Sequence, residues 1–254
     1  MKQLSSPYIL LSLLIMSSHF LTAQVSIRDS AVRIGAIGVT YHGMVPGGDM
    51  ADRFGFTSQL GMDGILKFRS NFYLRAAASV MFGEQVKETG ILDNITTSGF
   101  FIGDNGLLSD VRMLQSGYVG SFSIGKMFGR RFAPNPNSGF YVEVGGQFMQ
   151  HQIRIRSRDV EAAPISGDYH KGYDRLSNGF GIRESFGYRF FDNDGTVNLS
   201  IGLEFSQNFT QNRRSINFDT GMADTRTRVD LLSGFTVSWI FPIYSQSPDR
   251  VYYR

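Results

Sequence analysis

Cysteine is absent from the 254 residues, which excludes a disulfide scaffold, a thiolate metal site and a thiol nucleophile. It also excludes a lipoprotein, because no thiol is available for acylation after export. Past Gln24 the chain lacks any apolar run of the ~20 residues that a membrane-spanning helix requires. Charge of one sign is scarce: 25 basic and 22 acidic residues leave a formal +3, and losing Lys2 with a leader would bring it to +2. That balance is too weak and too evenly spread for a nucleic-acid partner. HExxH and other metal-ligand spacings are also missing, so no metal and no cofactor is expected.

What is present begins with a leader. Lys2 precedes the short apolar run Ile9-Leu10-Leu11-Ser12-Leu13-Leu14-Ile15-Met16, and Leu21-Thr22-Ala23 offers a small residue before a cut at Gln24. The run is too short to span a bilayer, so 1–23 reads as a cleaved signal peptide rather than an anchor. The mature chain is then expected as a periplasmic segment 24–31, one domain over 32–244 and a short tail 245–254.

The mature chain shows long period-two alternation broken by Gly, Asn, Asp and Pro clusters. Over 197–209, Val197, Leu199, Ile201, Leu203, Phe205 and Phe209 share one face, opposite Asn198, Ser200, Gly202, Glu204, Ser206 and Asn208. Strands are predicted at 32–43, 56–67, 72–86, 116–127, 140–156, 175–190, 196–210 and 227–243. A soluble sandwich would alternate too, but these segments run well beyond the ordinary ~5–6 residues. Their polar face is rich in Gly, Ser, Ala, Asn and Gln, which suits the narrow inside of a small barrel better than a charged water surface. The predicted connections alternate short (68–71, 128–138, 191–195) and long (44–55, 87–115, 157–174, 211–226). The expectation is an all-β, eight-stranded antiparallel transmembrane barrel, an up-and-down meander with both termini periplasmic. A soluble barrel is the alternative.

Aromatic residues cluster towards both strand ends, as membrane-interface girdles do. Phe68, Phe72, Phe128, Phe140, Tyr141, Phe190, Phe191, Trp239, Phe241 and Tyr244 lie towards the short connections. Phe54, Phe56, Phe82, Tyr118, Phe205 and Phe209 lie towards the long ones. The inward parity holds Asp63, Lys67, Arg75, Glu143, Arg183, Arg189, Glu204 and Asp230. In so narrow a barrel these are expected to form a salt-bridged plug rather than a conducting path. Glu184 interrupts the apolar face of Phe180, Ile182, Phe186 and Tyr188. Two readings stand: a β-bulge that turns it inward, or a lipid-facing contact with another membrane protein.

On the export boundary Thr22-Ala23-Gln24, the eight alternating segments and the aromatic closing stretch Trp239-Ile240-Phe241-Pro242-Ile243-Tyr244, the chain resembles the small outer-membrane barrels of Bacteroidota, of OmpA-type and PorT-like build. The stretches 167–176 (Gly-Asp-Tyr-His-Lys-Gly-Tyr-Asp-Arg-Leu) and 209–214 (Phe-Thr-Gln-Asn-Arg-Arg) resemble family signatures. The resemblance implies an outer-membrane location. With only 245–254 after the last strand, no peptidoglycan-binding domain is expected.

Candidate chemistry is sparse. His42 and His151 are expected near the outer rim and His170 in a long loop, with Ser157, Asp159 and Asp168 as conceivable partners for a rim hydrolase. Asp29-Ser30-Ala31, Asn94-Ile95-Thr96 and Asn208-Phe209-Thr210 match short glycosylation patterns that recur by chance. Phe100-Phe101-Ile102 and Leu107-Leu108 in the longest loop either cap the barrel mouth or bind a partner. The expected function is structural or interactive: a non-enzymatic scaffold in outer-membrane lipid that contacts another outer-membrane or periplasmic protein. One concrete version is an accessory subunit of an envelope protein-assembly or secretion machine. A lipid-modifying or proteolytic barrel enzyme is the runner-up, and a narrow channel the third reading.

Overall fold

The computed structural model describes residues 29–97, 100–102, 106, 108–129, 133–157, 168–193 and 197–244. The expected signal peptide 1–23 and tail 245–254 lie outside them, as do Leu107, Asp159 and the side chain of Ser157. Nine strands occur among the described residues: β1 Ile34–Gly48, β2 Thr57–Lys67, β3 Phe72–Gly83, β4 Phe100–Ile102, β5 Leu108–Phe128, β6 Gly139–Ser157, β7 Ser177–Phe191, β8 Asn198–Asn212 and β9 Thr227–Tyr244. One short helix, α1 Asp49–Arg53, follows β1. No helix among the described residues is long and apolar enough to cross a membrane.

All neighbouring strands pair antiparallel, in the order β3-β2-β1-β9-β8-β7-β6-β5-β4, and a β3–β5 ladder closes eight of them into a ring. β4 stands outside the ring, paired only with the start of β5. A row of paired residues leaves β7 at Phe190, passes Leu199, Trp239, Val39, Met62, Ala78, Gly120 and Phe148, and returns to β7 at Phe180. Closure therefore staggers the register by ten residues, from 190 to 180. For eight strands that stagger tilts each by about 40° to the barrel axis, within the usual range.

The strand limits differ from expectation at two of the predicted loops. β5 begins at Leu108, so the longest connection is shorter than 87–115 and carries β4 as a small outer hairpin. β1 continues to Gly48, leaving α1 and a few residues in place of the loop 44–55. Both differences have one cause. The ends of β5 and β6 pair with each other beyond β3 and β7, and the end of β1 pairs with β9 beyond β2; the period-two signal fades where a strand no longer has one wet and one apolar side.

Polarity is inverted relative to a soluble barrel. Ile201 (61% exposed), Phe122 (55%), Val142 (56%) and Ile182 (56%) face outward. Asp63, Arg75, Glu143 and Glu204, each at most 5% exposed, face inward. Three aromatic residues assigned to the girdles are not there: Tyr141 (3% exposed), Phe191 (0%) and Phe54 (0%) are buried inside the barrel. They share the inward parity of their strands or loop, and the lumen has apolar layers to receive them.

Candidate functional site: the lumen and its two closures

The inside of the barrel is stacked in layers. Towards the short connections, Ile34, Ile65, Tyr73, Tyr141, Phe191 and Ile240 pack as one apolar cluster. Small inward residues make the room: a Cβ on Gly125 would lie 2.2 Å from the Tyr73 ring, and one on Gly202 2.4 Å from the Tyr141 hydroxyl. Between these two rings lies the Arg189 guanidinium, its carbon 4.5 Å from the Tyr73 centroid and 4.8 Å from that of Tyr141. A cation held on aromatic faces is stabilised electrostatically without a carboxylate.

The middle layer is a continuous chain of charged and polar groups. Thr40 donates to Asp63 at 2.5 Å, and Asp63 meets Arg75 at 3.2 Å. Arg75 donates to Glu143 at 3.3 Å, and Tyr73 donates to the other oxygen of that carboxylate at 2.9 Å. Arg183 lies 3.7 Å from Glu143 and donates to Glu204 at 2.5 Å. His42 Nδ1 is 3.1 Å from the same Glu204 oxygen. Alternating sign along this chain offsets the desolvation that any one of these charges would suffer alone. Five of the eight inward charges thus meet in one network. Lys67 and Asp230 do not join it, and Arg189 reaches it through the Tyr73 ring and by its charge near Glu143 and Asp63.

Above the network, Met44, Met50, Phe54, Met81, Met149 and Leu232 form a second apolar layer. His151 and Asp230 sit at its edge, 3.0 Å apart and each 1% exposed, with Thr210 donating to Asp230 at 2.5 Å. His151 does lie at the rim. His42 was expected there too, but it sits in the middle layer, where Thr40, Thr236 and His42 share the inward face.

Both ends are closed. At the short-connection end the turn 133–138 folds across the opening. Lys67 donates to the Asn137 carboxamide oxygen at 2.9 Å and to the carbonyl of Val32 at 3.2 Å. Asn137 in turn donates to the Ser30 carbonyl at 2.9 Å, and Asn135 donates to that of Phe191 at 2.7 Å. At the long-loop end, Glu88 accepts from Arg53 of α1 and from Arg175, both at 2.9 Å. Arg175 reaches Asp219 at 2.5 Å, and Arg214 pairs with Asp174. Burial pulls the Arg53 guanidinium below its ordinary pKa even with Glu88 beside it. Burial also works against Arg175, but Asp219 and Glu88 outweigh it and raise that group. Phe101 (1% exposed) packs with Leu92 and Tyr173 as part of this cap, whereas Phe100 (44%) and Leu108 (66%) stay outside.

Asn208 is fully buried and accepts from Gln147 at 2.7 Å, so its match to a glycosylation pattern has no structural access. Asp168 and Lys171 pair on the surface, where that hydrogen bond holds the carboxyl below its usual range. His170 lies in the adjacent 3-10 turn Tyr169–Gly172. Among the described residues no group of three His, Asp or Glu side chains could hold a metal.

Glu184 corrects one expectation. The β6–β7 and β7–β8 ladders run through it without interruption, Val144↔Glu184↔Phe205, so no bulge turns it inward. It is exposed on the outer wall between Ile182 and Phe186. Sequence reasoning missed Thr40 and Tyr73 as network members, although both share the inward parity of the charges beside them.

Comparison with known proteins adds shape alone. No family model matches the chain, and no curated protein matches it. Solved structures do. Ail of Yersinia pestis, in complex with the heparin analogue sucrose octasulfate, has 8% identity and a TM-score of 0.41, over 83% of this chain and 99% of Ail. Neisserial surface protein A has 11% identity and a TM-score of 0.38, over 80% of this chain and 95% of its own. AlkL, solved in DMPC bilayers, has 10% identity and a TM-score of 0.38, over 89% of this chain and 97% of its own. The eight-stranded ring stands on its own strand register, independently of these likenesses.

Proposed function

We propose that the chain is an integral barrel of a bacterial outer membrane, with both termini periplasmic, and that it acts as a scaffold rather than as a pore or an enzyme. The observation that carries this reading is the combination of an apolar outer wall with a lumen filled in layers and closed at both ends. The outer wall fits hydrocarbon: an exposed apolar band bounded by Phe72, Phe128, Phe140 and Trp239 at one end and by Phe82, Tyr118, Phe180 and Phe209 at the other. Even numbers of tilted, closed strands leave no unpaired ladder in lipid. A lumen crossed by the Asp63-to-Glu204 chain and two packed apolar layers favours a filled barrel over an ion path. What remains to interact is the outer wall and the loops, and the most concrete form is an accessory subunit of an envelope protein-assembly or secretion machine. The resemblance to Bacteroidota barrels belongs to the same proposal.

The test is outer-membrane fractionation followed by reconstitution into planar bilayers. The reading expects the protein in the outer-membrane fraction and no steps of conductance above the bare bilayer. Recovery in a soluble fraction, or reproducible steps abolished by blocking residues such as Ala77→Trp in the lumen, would overturn it.

The runner-up, a barrel hydrolase, has one feature in its favour: the His151–Asp230 pair at the rim. Ser177 stands directly opposite His151 in the β6–β7 ladder. Its hydroxyl, however, donates to the Arg175 carbonyl at 3.0 Å, and His151 Nδ1 has no hydrogen-bond partner among the described residues. The pair is sealed beneath Phe54 and Arg53, so a substrate would reach it only if the cap opened. Lipid or peptide turnover that vanishes in His151→Gln would move this reading ahead of the scaffold.

A further inference from the structure

Glu184 is a carboxyl with no hydrogen-bond or ion-pair partner among the described residues, on a largely apolar wall. Its depth follows from its own strand. Phe180 and Tyr188 lie four residues to either side, on the same outer face of β7. A strand tilted by about 40° advances ~2.5 Å per residue along the barrel axis. Phe180 is therefore ~10 Å above Glu184 and Tyr188 ~10 Å below it, against an apolar band of ~25 Å. The carboxyl sits at the middle of that band, where an ionisable side chain is most costly and most often marks a function.

Two further polar positions adjoin it. Gln207 lies opposite Ile182 on β8, diagonal to Glu184, and Ser233 lies opposite Phe205 on β9. Diagonal neighbours on adjacent strands are within reach of long side chains. Phe186 and Phe205 stack beside them at 6.2 Å, with planes 17° apart, as a flat apolar shoulder. The rest of the described outer wall carries a single other charge within the band, Lys126 on β5. Its ammonium already lies 4.7 Å above the Phe72 ring and 5.7 Å from that of Phe128, in the girdle at the short-connection end.

We infer that the outer wall of β7, β8 and β9 around Glu184 is an intramembrane docking surface for a different membrane-embedded protein, one that presents an Arg or Lys side chain at mid-bilayer depth. This inference rests on the membrane reading above. Charge complementarity sets the partner's chemistry: a carboxyl in hydrocarbon either stays neutral or, once ionised, needs a cation beside it. Depth argues against a second copy as the source of that cation. Copies inserted in the same orientation keep every residue at its own level, and Lys126 lies ~10 Å below Glu184 by the same rise per residue. Gln207 and Ser233 add hydrogen bonds at the edge of the contact, and the stacked phenylalanines supply its apolar area.

The experiment places photo-reactive benzoylphenylalanine at Phe205, at Ile182 and, on the far wall, at Met62, and irradiates native outer membranes. The expected result is one protein adduct from positions 205 and 182, none from 62, and a partner peptide with Lys or Arg within its membrane span. Glu184→Leu should cut that adduct by about thirtyfold or more, the size of one lost partner in a buried charge pair. Reversing the charge on both sides, Glu184→Lys with the partner's base made acidic, should restore it. A purely structural role predicts the opposite pattern, because Glu184→Leu would then lower the barrel's thermal resistance in pure lipid. Lipid adducts alone, adducts with a second copy, or an adduct indifferent to Glu184→Leu would each overturn the inference. Outer-membrane fractionation of the same variants separates this failure from failure of the membrane reading. A protein that fractionates there without a cross-link refutes only the docking surface.

Discussion

Replacing Arg183 with Met removes the guanidinium that links Glu204 to Glu143 in the middle layer, and the structure fixes how much that should cost. Arg183 and Glu204 are 3% and 4% exposed and 2.5 Å apart, so water screens them little. With ~4 Å between charge centres and an effective dielectric of ~20, the attraction is about 4 kcal/mol. Breaking one side of a buried pair typically costs about 3–5 kcal/mol, since the surviving charge stays desolvated. After the change, Glu204 keeps His42 at 3.1 Å, with Arg75 as the nearby guanidinium. The expected loss for Arg183→Met is therefore about 3–4 kcal/mol. Glu204→Gln in the same background should recover about 2 kcal/mol of it, because the orphaned carboxylate is then gone. Denaturant unfolding from lipid vesicles reads this directly. The chain has one tryptophan, Trp239, half-exposed on the outer wall, and its emission shifts red when the strand leaves lipid. A cost below about 1 kcal/mol for Arg183→Met would mean that water screens the pair as it does on a surface. Simple additivity within about 0.5 kcal/mol in the double variant would mean that the two groups do not interact. Either result refutes a packed, dry lumen and revives the channel.

Gly125→Val should destabilise by about 1–3 kcal/mol through overpacking, since its side chain would displace the Tyr73 ring and with it the seat of Arg189. The companion change Tyr73→Leu should relieve most of that loss in the same vesicle assay, and its failure to do so would remove Tyr73 from the explanation. At the long-loop end the pH dependence has a definite sign. Burial alone would raise the Asp224 carboxyl, but the hydrogen bond and charge of Arg228 outweigh it and hold the group below its ordinary 3.8. A depressed folded value contributes stability that is present above the unfolded pKa and lost as pH falls through the folded one. Pepsin nicking of the 213–226 loop should therefore accelerate below pH ~4, and Asp224→Asn should remove that acceleration. Nicking with the same pH profile in both proteins would show that the pair does not anchor the loop.

The period-two pattern carries which face a residue takes, and the eight long segments and their ring follow from it. It does not carry which inward residues meet. Arg75 and Glu143 are 68 positions apart on strands that are not even neighbours, with β5 between them. They touch because closure with a ten-residue stagger brings them to one level across a narrow lumen. Tyr141, Phe191 and Phe54 show the same limit from the other side. Their aromatic character pointed to the interface, while the parity of Tyr141 with Glu143, and of Phe191 with Arg189, already placed both inside. Burial in the lumen follows parity, because the strand leaves a side chain only two directions. Composition decides only how the layer is filled. Glu184 follows the same logic. A bulge would have reconciled its charge with a greasy face, but an unbroken ladder on both sides fixes it outward. Its carboxyl therefore faces whatever surrounds the barrel.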